Sequence, residues 1–465
     1  MLDIVYKHEG IHSSRLHCIN SEYYEEEEFI DQEEAFESIQ SGKLSEREIC
    51  RVYDDLKDMS NQGVDVKDDL IRLAFIEMSN PNPSIVCSSS SFLRSVIHHS
   101  EDQILKIFIE DDSEVIMNSL MVLGGWSTQV IKQIIENHRP LAQYLIEKGL
   151  INRICALISP KSSSDPSIFG CNLLIEIFAH YEVDQQLQDM IVNHAVALFE
   201  YHIKPFTTPM KIPDEFYEDY FSHLNRGSLP NVIKLISLIL YYSTDEDFSQ
   251  LILSKFPVLR NIIPFSGNQI RQSILLLILE VCRKGQLSQL WEDGHVIDII
   301  GDVTKSGIKA DDDFYYLSLV CVSVLELNPN NIESIIPIGT INVLLEAFET
   351  RAFSLKTRLL PFIKTITSRD IIEQTIQYLE DYNVVKNIGE ISCTQLHTKD
   401  HQYIAHMVSD LIETLKIIGY WNKSCHLARQ LCDSSFLEYR DSLITLSDAE
   451  SEVFNEIDLL LSQEL

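Results

Sequence analysis

Residues 145–181 of this chain have the sequence LIEKGLINRICALISPKSSSDPSIFGCNLLIEIFAHY. A helix ends at Lys148, and Gly149 suits the sharp turn that follows because glycine adopts a positive φ without steric penalty. Apolar residues then recur on one face of a second helix. After a Ser/Pro loop, Asp165 opens a long apolar third helix. The stretch therefore predicts a repeat unit of three helices.

The same order of a turn and an apolar helix recurs along the rest of the chain. From Gly149 onward the turns are spaced by 45, 62, 38, 45 and 43 residues, at His194, Phe256, Gly294, Gly339 and Tyr382. Three of these spacings lie in the period of roughly 40–47 residues that is typical of HEAT and armadillo arrays. We therefore expect an all-α fold, an α-solenoid of about seven to nine repeats.

Residues 203–227 lie in the one long interval and form a predicted insertion rich in proline. The insertion holds five aromatic residues, which are Phe206, Phe216, Tyr217, Tyr220 and Phe221. We expect this loop to pack on its own repeat, because aromatic side chains tend to be buried. The alternative is an added contact surface, since long insertions in solenoids often bind.

The composition favours one extended array over several globular domains. The chain has 465 residues and 45% hydrophobic content, and its middle shows no change of composition. A solenoid accommodates such a length because each repeat packs only on its neighbours. We predict an acidic N-terminal segment at residues 1–65, partly disordered, a repeat array at residues 66–432, and an acidic C-terminal segment at residues 433–465.

Three Ser–Glu or Ser–Gln spacings predict capping boxes at helix starts, at Ser45/Glu48, Ser266/Gln269 and Ser447/Glu450. The last would start a short helix in the acidic C-terminal segment, with an apolar stripe formed by Val453, Phe454, Ile457, Leu460 and Leu461. We expect this stripe to cover the exposed end of the last repeat. The alternative is a detachable motif that enters a groove on a partner.

The N-terminal sequence MLDIVYKHEG resembles no secretory signal, and no apolar run is long enough for a membrane span. The 10 cysteines have no regular spacing and several fall on apolar helix faces, which predicts buried, reduced thiols. We expect a cytoplasmic protein, with the nucleus as the alternative location.

The formal net charge of −33 limits the class of partner. Nucleic acid and anionic membranes require clustered Lys and Arg, so we expect neither as a partner. A negative chain attracts basic partners by electrostatic steering, although the charge also serves solubility. We predict a monomer that binds protein partners, in particular basic or extended peptide segments.

The opening stretch and its continuation to Phe199 resemble armadillo repeats, which have a short helix ending at a glycine, an apolar second helix and a long third helix. The likeness covers residues 84–432 by period, and two or three units match in detail. HEAT-like units remain an alternative. The resemblance implies a right-handed superhelix whose third helices line a concave groove that holds extended peptides or partner proteins.

The importin-α family is the named candidate within this resemblance, and the chain departs from it twice. That family begins with a basic segment, whereas this N-terminus is acidic. Its third helices carry Trp and Asn, which hold the bound peptide. The corresponding segments here contain no Trp and only Asn328, at an edge; they are LLIEIFAHY, LISLILYYS, LLLILEVCR, VCVSVLELN and LLPFIKTIT.

No catalytic motif is present in the sequence, and we predict no catalytic, cofactor-binding or metal-binding residue. The only cluster of ligand types is Cys393, His397, His401 and His406, whose spacing lacks the paired ligands typical of zinc modules. Hydroxylases built from HEAT repeats carry repeated His-Glu steps, and His8-Glu9 alone does not supply them. We expect a non-enzymatic scaffold or adaptor without cofactors; the alternatives are an importin-α-like nuclear import adaptor and a metal-dependent hydroxylase.

Overall fold

The computed structural model describes residues 30–110, 114–122, 124–158, 164–207, 227–394, 400–422 and 424–431. This part of the chain contains α-helices, short 3₁₀ turns and loops, and no β-strand. The described α-helices are α1 Gln32–Gln40, α2 Glu46–Asn61, α3 Asp68–Glu77, α4 Pro83–His99, α5 Glu101–Ile109, α6 Val115–Leu120, α7 Gly125–Asn137, α8 Arg139–Glu147, α9 Leu150–Leu157, α10 Ser164–His180, α11 Gln185–Ile203, α12 Leu229–Tyr242, α13 Glu246–Leu253, α14 Phe256–Ile262, α15 Asn268–Arg283, α16 Leu287–Glu292, α17 His295–Lys305, α18 Asp311–Leu327, α19 Ile332–Ile335, α20 Thr340–Thr350, α21 Phe353–Ile366, α22 Ile372–Asp381, α23 Val384–Thr394, α24 Asp400–Ile417 and α25 His426–Leu431.

The helices follow one another in triads of a short first helix, a second helix and a long third helix. Between α5 and α24 the described residues contain seven repeats, which start at Glu101, Arg139, Gln185, Glu246, Leu287, Pro329 and Ile372; in the third of them one continuous helix stands in place of the first two. The intervals between starts are 38, 46, 61, 41, 42 and 43 residues. The fold is therefore an all-α solenoid of helical repeats, as predicted.

Left-handed residues separate the first helix from the second in five repeats. In the first of these the residue is Glu114, with a φ of +53°, and in the other four it is a glycine or an asparagine. Gly149, Gly294 and Gly339 have φ values of +87°, +73° and +79°, and Asn383 has +50°. Only glycine, and to a smaller extent asparagine, adopts this region at low cost, so these residues end one helix and turn the chain into the next. The predicted turns at these four places are confirmed.

The turn predicted at His194 is wrong. His194 lies inside α11, a continuous helix of 19 residues that replaces the separate first and second helices of the other repeats. The ring Nδ1 of His194 lies 2.8 Å from the carbonyl oxygen of Met190, one turn earlier in the same helix. No glycine or asparagine with a positive φ occurs in this helix, so nothing interrupts it.

Two of the predicted capping boxes fall within the described residues, and one of them forms. The Ser45 hydroxyl accepts from the Glu48 amide, and the Glu48 carboxylate accepts from the Ser45 amide at 2.7 Å. The box predicted at Ser266/Gln269 is wrong, because Gly267 is the N-cap of α15 and the Ser266 hydroxyl donates to the Ile263 carbonyl instead. Extended backbone at Gly267 starts the helix one residue later than the pattern suggests.

The described residues form two compact units: those up to residue 202 with 227–238, and residues 203–207 with those from 239 to 431. In the first unit α2, α4, α7 and α10 lie side by side as one layer, and α3 packs on α6 in the layer behind. In the second unit α15, α18 and α21 form the layer of third helices, and α14, α17, α20 and α23 form the layer of second helices. Apolar side chains between the two layers make each core.

Aromatic contacts extend the core of the first unit to its N-terminal helices. Tyr53 of α2 stacks on Phe92 of α4 at 5.9 Å between ring centroids, and Phe75 of α3 meets Phe108 of α5 edge to face at 5.1 Å. Gln32 of α1 binds the backbone at Lys67. Residues 30–65 of the predicted N-terminal segment are thus packed on the repeat array, and residues 1–29 lie outside the described residues.

The described cysteines are free thiols, and Cys155, Cys171 and Cys321 are buried. Burial raises the pKa of each of these three thiols to about 12, so they remain protonated and unreactive. This agrees with the expectation of buried, reduced thiols on apolar helix faces.

Of the predicted insertion, the structure describes residues 203–207 and Gly227. Phe206 is buried, and its carbonyl oxygen accepts a hydrogen bond from the Asn261 side chain at 3.0 Å. The other four aromatic residues of the insertion, and the C-terminal segment 433–465 with its predicted helix, lie outside the described residues.

Candidate functional site

The third helices of the first unit present one row of exposed side chains each. In α4, α7 and α10 the buried positions recur with helical period and face the neighbouring helices, which leaves one stripe of each helix at the surface. We call the surface formed by these three stripes the first-unit face. The helices approach closely here: a Cβ added at Gly125 of α7 would lie 3.5 Å from the ring of Phe169 of α10.

Two pairs of an aromatic and a carboxamide side chain occupy the first-unit face. Trp126 and Gln129 lie one helical turn apart on α7, and Phe169 and Asn172 lie one turn apart on α10. The Trp126 side chain is 40% exposed, although a large apolar group of this kind is normally buried. Phe169 and Asn172 are half-buried and Gln129 is exposed. Both pairs follow the same order, 43 residues apart.

Polar side chains link neighbouring helices across this face. Arg94 of α4 donates to the side-chain oxygens of Gln129 and Gln133 of α7, at 3.2 and 3.1 Å. Lys132 of α7 pairs with Glu176 of α10. Burial alone would lower the pKa of Lys132, but the neighbouring carboxylates raise it, so this lysine stays charged. The cations of the face are therefore already engaged with its own acceptors.

In the third helices of the second unit, basic side chains lie over the tyrosine rings of neighbouring helices. The Arg358 guanidinium of α21 lies 4.0 Å from the ring centroid of Tyr315 of α18 and binds the Asp312 carboxylate at 2.7 Å. Lys364 of α21 lies 5.3 Å from the ring centroid of Tyr403 of α24. We call this surface, from the end of α12 through α15, α18, α21 and α24, the second-unit face.

Two acidic residues are buried in the second unit and differ in their partners. Asp313 of α18 accepts from Gln272 at 2.8 Å and lies 3.5 Å from Arg271, both of α15. Glu280 of α15 is also fully buried, but neither of its carboxylate oxygens has a hydrogen-bond partner within the described structure. Burial raises the pKa of Glu280 to about 7, against the opposing effect of Arg283 and Lys284.

The residues predicted as a weak ligand cluster are not brought together by the described part of the chain. The side chain of His406 is exposed on α24, and the side chains of Cys393, His397 and His401 lie outside the described residues. Among the side chains that the structure describes, no group of three or more His, Cys, Asp or Glu could hold a metal ion. No helix in the described ranges is both long and apolar enough to cross a membrane.

The five segments chosen from the sequence as third helices do lie in α10, α12, α15, α18 and α21. The search for aromatic and amide residues nevertheless missed Trp126 and Asn172. None of the five segments covers α7, which carries Trp126, and Asn172 precedes the segment LLIEIFAHY by one residue. The constant offset of 43 residues between the two pairs would have revealed them.

Comparisons with solved structures support the fold. The chain is similar to a crystal structure of an engineered protein, with 10% identity, a TM-score of 0.52, and coverage of 94% of this chain and 100% of that chain. Two crystal structures of importin beta align at 10% identity with TM-scores of 0.41 and 0.44, covering 88% and 93% of this chain. This chain spans 54% and 60% of those importin beta chains.

No family model and no curated protein matches the sequence. The structural likeness at 10% identity concerns the arrangement of helices alone. It places the chain among helical repeat proteins, and any function has to be argued from its own surface.

Proposed function

We propose that this chain is a non-catalytic protein-interaction scaffold that holds an extended segment of a partner along the first-unit face. The observation that carries the proposal is the pair of aromatic and carboxamide side chains repeated on α7 and α10. An exposed tryptophan offers a large rigid contact area, and such residues dominate binding energy at interfaces.

The carboxamides suit the backbone of an extended segment. A peptide group has one N–H donor and one C=O acceptor, and an Asn or Gln side chain offers both functions at its end. Gln129 and Asn172 lie in the same position of successive repeats, so they can bind successive peptide groups of a segment that crosses the third helices. The aromatic rings of Trp126 and Phe169 would hold the side chains of that segment.

The acidic balance of the chain supports a basic partner. The net charge is −33, which accelerates the approach of a positive chain. On α2, which packs beside α4, the side chains of Asp54, Asp55 and Asp58 are exposed. We place the interaction in the cytoplasm, with the nucleus as the alternative, and assign it to a monomer.

We assign the repeats to the armadillo type rather than the HEAT type because in five of the seven described repeats a left-handed residue separates a short first helix from the second. An importin-α-like import adaptor is the second candidate, favoured by Trp126 and Asn172 on successive third helices. The second-unit face carries Arg–Tyr and Lys–Tyr pairs instead, which makes a general scaffold the stronger candidate.

Replacing Trp126 and Asn172 by alanine is expected to reduce recovery of the partner at least about tenfold, because central aromatic residues each contribute on the order of 2 kcal/mol or more to binding. The measurement is affinity purification of the tagged full chain with quantitative mass spectrometry. Gln143→Ala with Glu147→Ala is the matched control, since both residues are exposed on the first helix α8. If the two double variants recover the same proteins in equal amounts, the first-unit face is not the binding surface.

A further inference from the structure

Glu280 lacks the partners that a buried carboxylate normally has. Its side chain is 0% exposed, and within the described chain both carboxylate oxygens are without a hydrogen bond. An ionised group in this position is costly unless an opposite charge or hydrogen bonds compensate it. A buried polar group without a partner in a folded protein therefore calls for an explanation.

The side chains of Arg283 and Lys284, which could neutralise Glu280, contact other groups. Arg283 and Lys284 follow it by three and four residues, so all three lie on neighbouring positions of one helix face. The Arg283 guanidinium instead lies 3.6 Å from the ring centroid of Tyr241, at the end of α12. The Lys284 ammonium donates to the carbonyl oxygen of Ser243 at 2.6 Å. The two cations bind the end of α12, so they act on the carboxylate only through their charge and donate no hydrogen bond to it.

The surroundings of Glu280 suit the stem of a long basic side chain. Leu276, one turn earlier on α15, supplies apolar surface, and the ring of Tyr241 already holds a guanidinium group. An aromatic face that binds one cation can bind another of the same kind. The exposed Arg283 side chain is flexible, so it can move off the ring without any change in the helices.

We propose that Glu280 receives a lysine or arginine side chain of a basic partner protein, which enters on the second-unit face where Arg283 now lies on Tyr241. This subsite rests on the proposed scaffold function and adds to it the chemistry of one partner residue. A charged hydrogen bond to an arginine or lysine would give the carboxylate its missing partner, and such bonds are about twice as strong as neutral ones.

The probe for this subsite is a hexa-arginine peptide, with hexa-citrulline as its uncharged isostere. Isothermal titration calorimetry at pH 8 compares the full-length wild type with Glu280→Gln and with Glu326→Gln, a control that removes an exposed carboxylate from α18. We expect Glu280→Gln to weaken binding of hexa-arginine about tenfold. Glu326→Gln should change it less than about twofold, because exposed pairs contribute little. Hexa-citrulline binding should be insensitive to both substitutions.

Two further variants protect the test against a folding defect. Glu280→Asp keeps the charge and should retain most of the affinity, and Arg283→Ala should increase the affinity because it removes the competing guanidinium from the Tyr241 ring. If Glu280→Gln weakens binding no more than Glu326→Gln, the subsite is overturned while the scaffold function stands. If the double variant at Trp126 and Asn172 recovers its partner as well as the wild type does, the proposal that the first-unit face binds the partner fails instead.

Discussion

Glu280→Leu is expected to stabilise the protein by about 3 kcal/mol more at pH 8 than at pH 4.5. The carboxylate is fully buried and, in the part of the chain that the structure covers, has no hydrogen-bond partner. Replacing such a group by an apolar one of similar size removes its desolvation penalty. Leucine also continues the apolar surface of Leu276 and Leu279 on α15.

The pH dependence follows from the direction of the pKa shift. The pKa of Glu280 in the folded chain is about 7, raised from the ordinary value of 4.5. Well below pH 4.5 the group is protonated in both the folded and the unfolded chain, so it imposes no penalty from ionisation. As the pH rises from 4.5 to about 7, the unfolded chain ionises while the folded chain keeps its proton, so stability is lost over this range and levels off above it.

Denaturant unfolding followed by circular dichroism at pH 8 and pH 4.5 measures this difference. Glu326→Leu, on an exposed position of α18, should shift stability by less than about 0.5 kcal/mol at either pH. A stabilisation by Glu280→Leu that is equal at both pH values would show that Glu280 carries no penalty from ionisation.

Gly170→Val is expected to destabilise the first unit by about 3 kcal/mol, because the third helix α10 lies closest to its second helix at this residue. A Cβ at Gly170 would lie 2.6 Å from Cγ1 and 2.8 Å from Cδ1 of Ile158, which is itself buried. Such contacts force the two helices apart or drive side chains off their rotamers. Gly170→Ala should also destabilise the first unit, but by less than Gly170→Val.

Gly301→Ala on α17 is the matched control, and its expected effect has the opposite sign. The nearest atoms to its added Cβ belong to Ile338, at 3.7 to 3.9 Å, which is ordinary contact. Alanine should therefore stabilise this helix by up to about 1 kcal/mol. Ile158→Ala should reduce the destabilisation caused by Gly170→Val. Thermal unfolding of the wild type, the two single variants and the double variant measures this coupling. Equal effects at the two glycines would refute the close approach.

The sequence predicts the repeats well because each repeat is built from local signals. Glycines at Gly149, Gly294 and Gly339 determine where a second helix begins, and apolar periodicity determines the face that it buries. The prediction fails at His194 because a continuous helix and a broken one have the same apolar pattern there. It fails at Ser266 because Gly267 provides an N-cap without a side chain.

The candidate site was harder to predict because it depends on contacts between repeats. The position of Trp126 on the surface follows only once α7 is known to begin at Gly125. Glu280 has two cations within one helical turn and resembles a surface acid in the sequence. Tyr241 and Ser243 hold those two cations, and both lie about 40 residues earlier in the chain, so local pattern does not show this arrangement.

Site-specific photo-crosslinking tests the central claim most directly, namely that a partner segment lies on the first-unit face. Benzoylphenylalanine would replace Gln129 on α7, Asn172 on α10 and, as the control, the exposed Gln143 on α8. Irradiation of the full chain in cells should trap the same partner protein from positions 129 and 172, and little or none of it from position 143. Crosslinks to that partner from position 143, with none from 129 or 172, would contradict the assignment of the third helices as the binding surface.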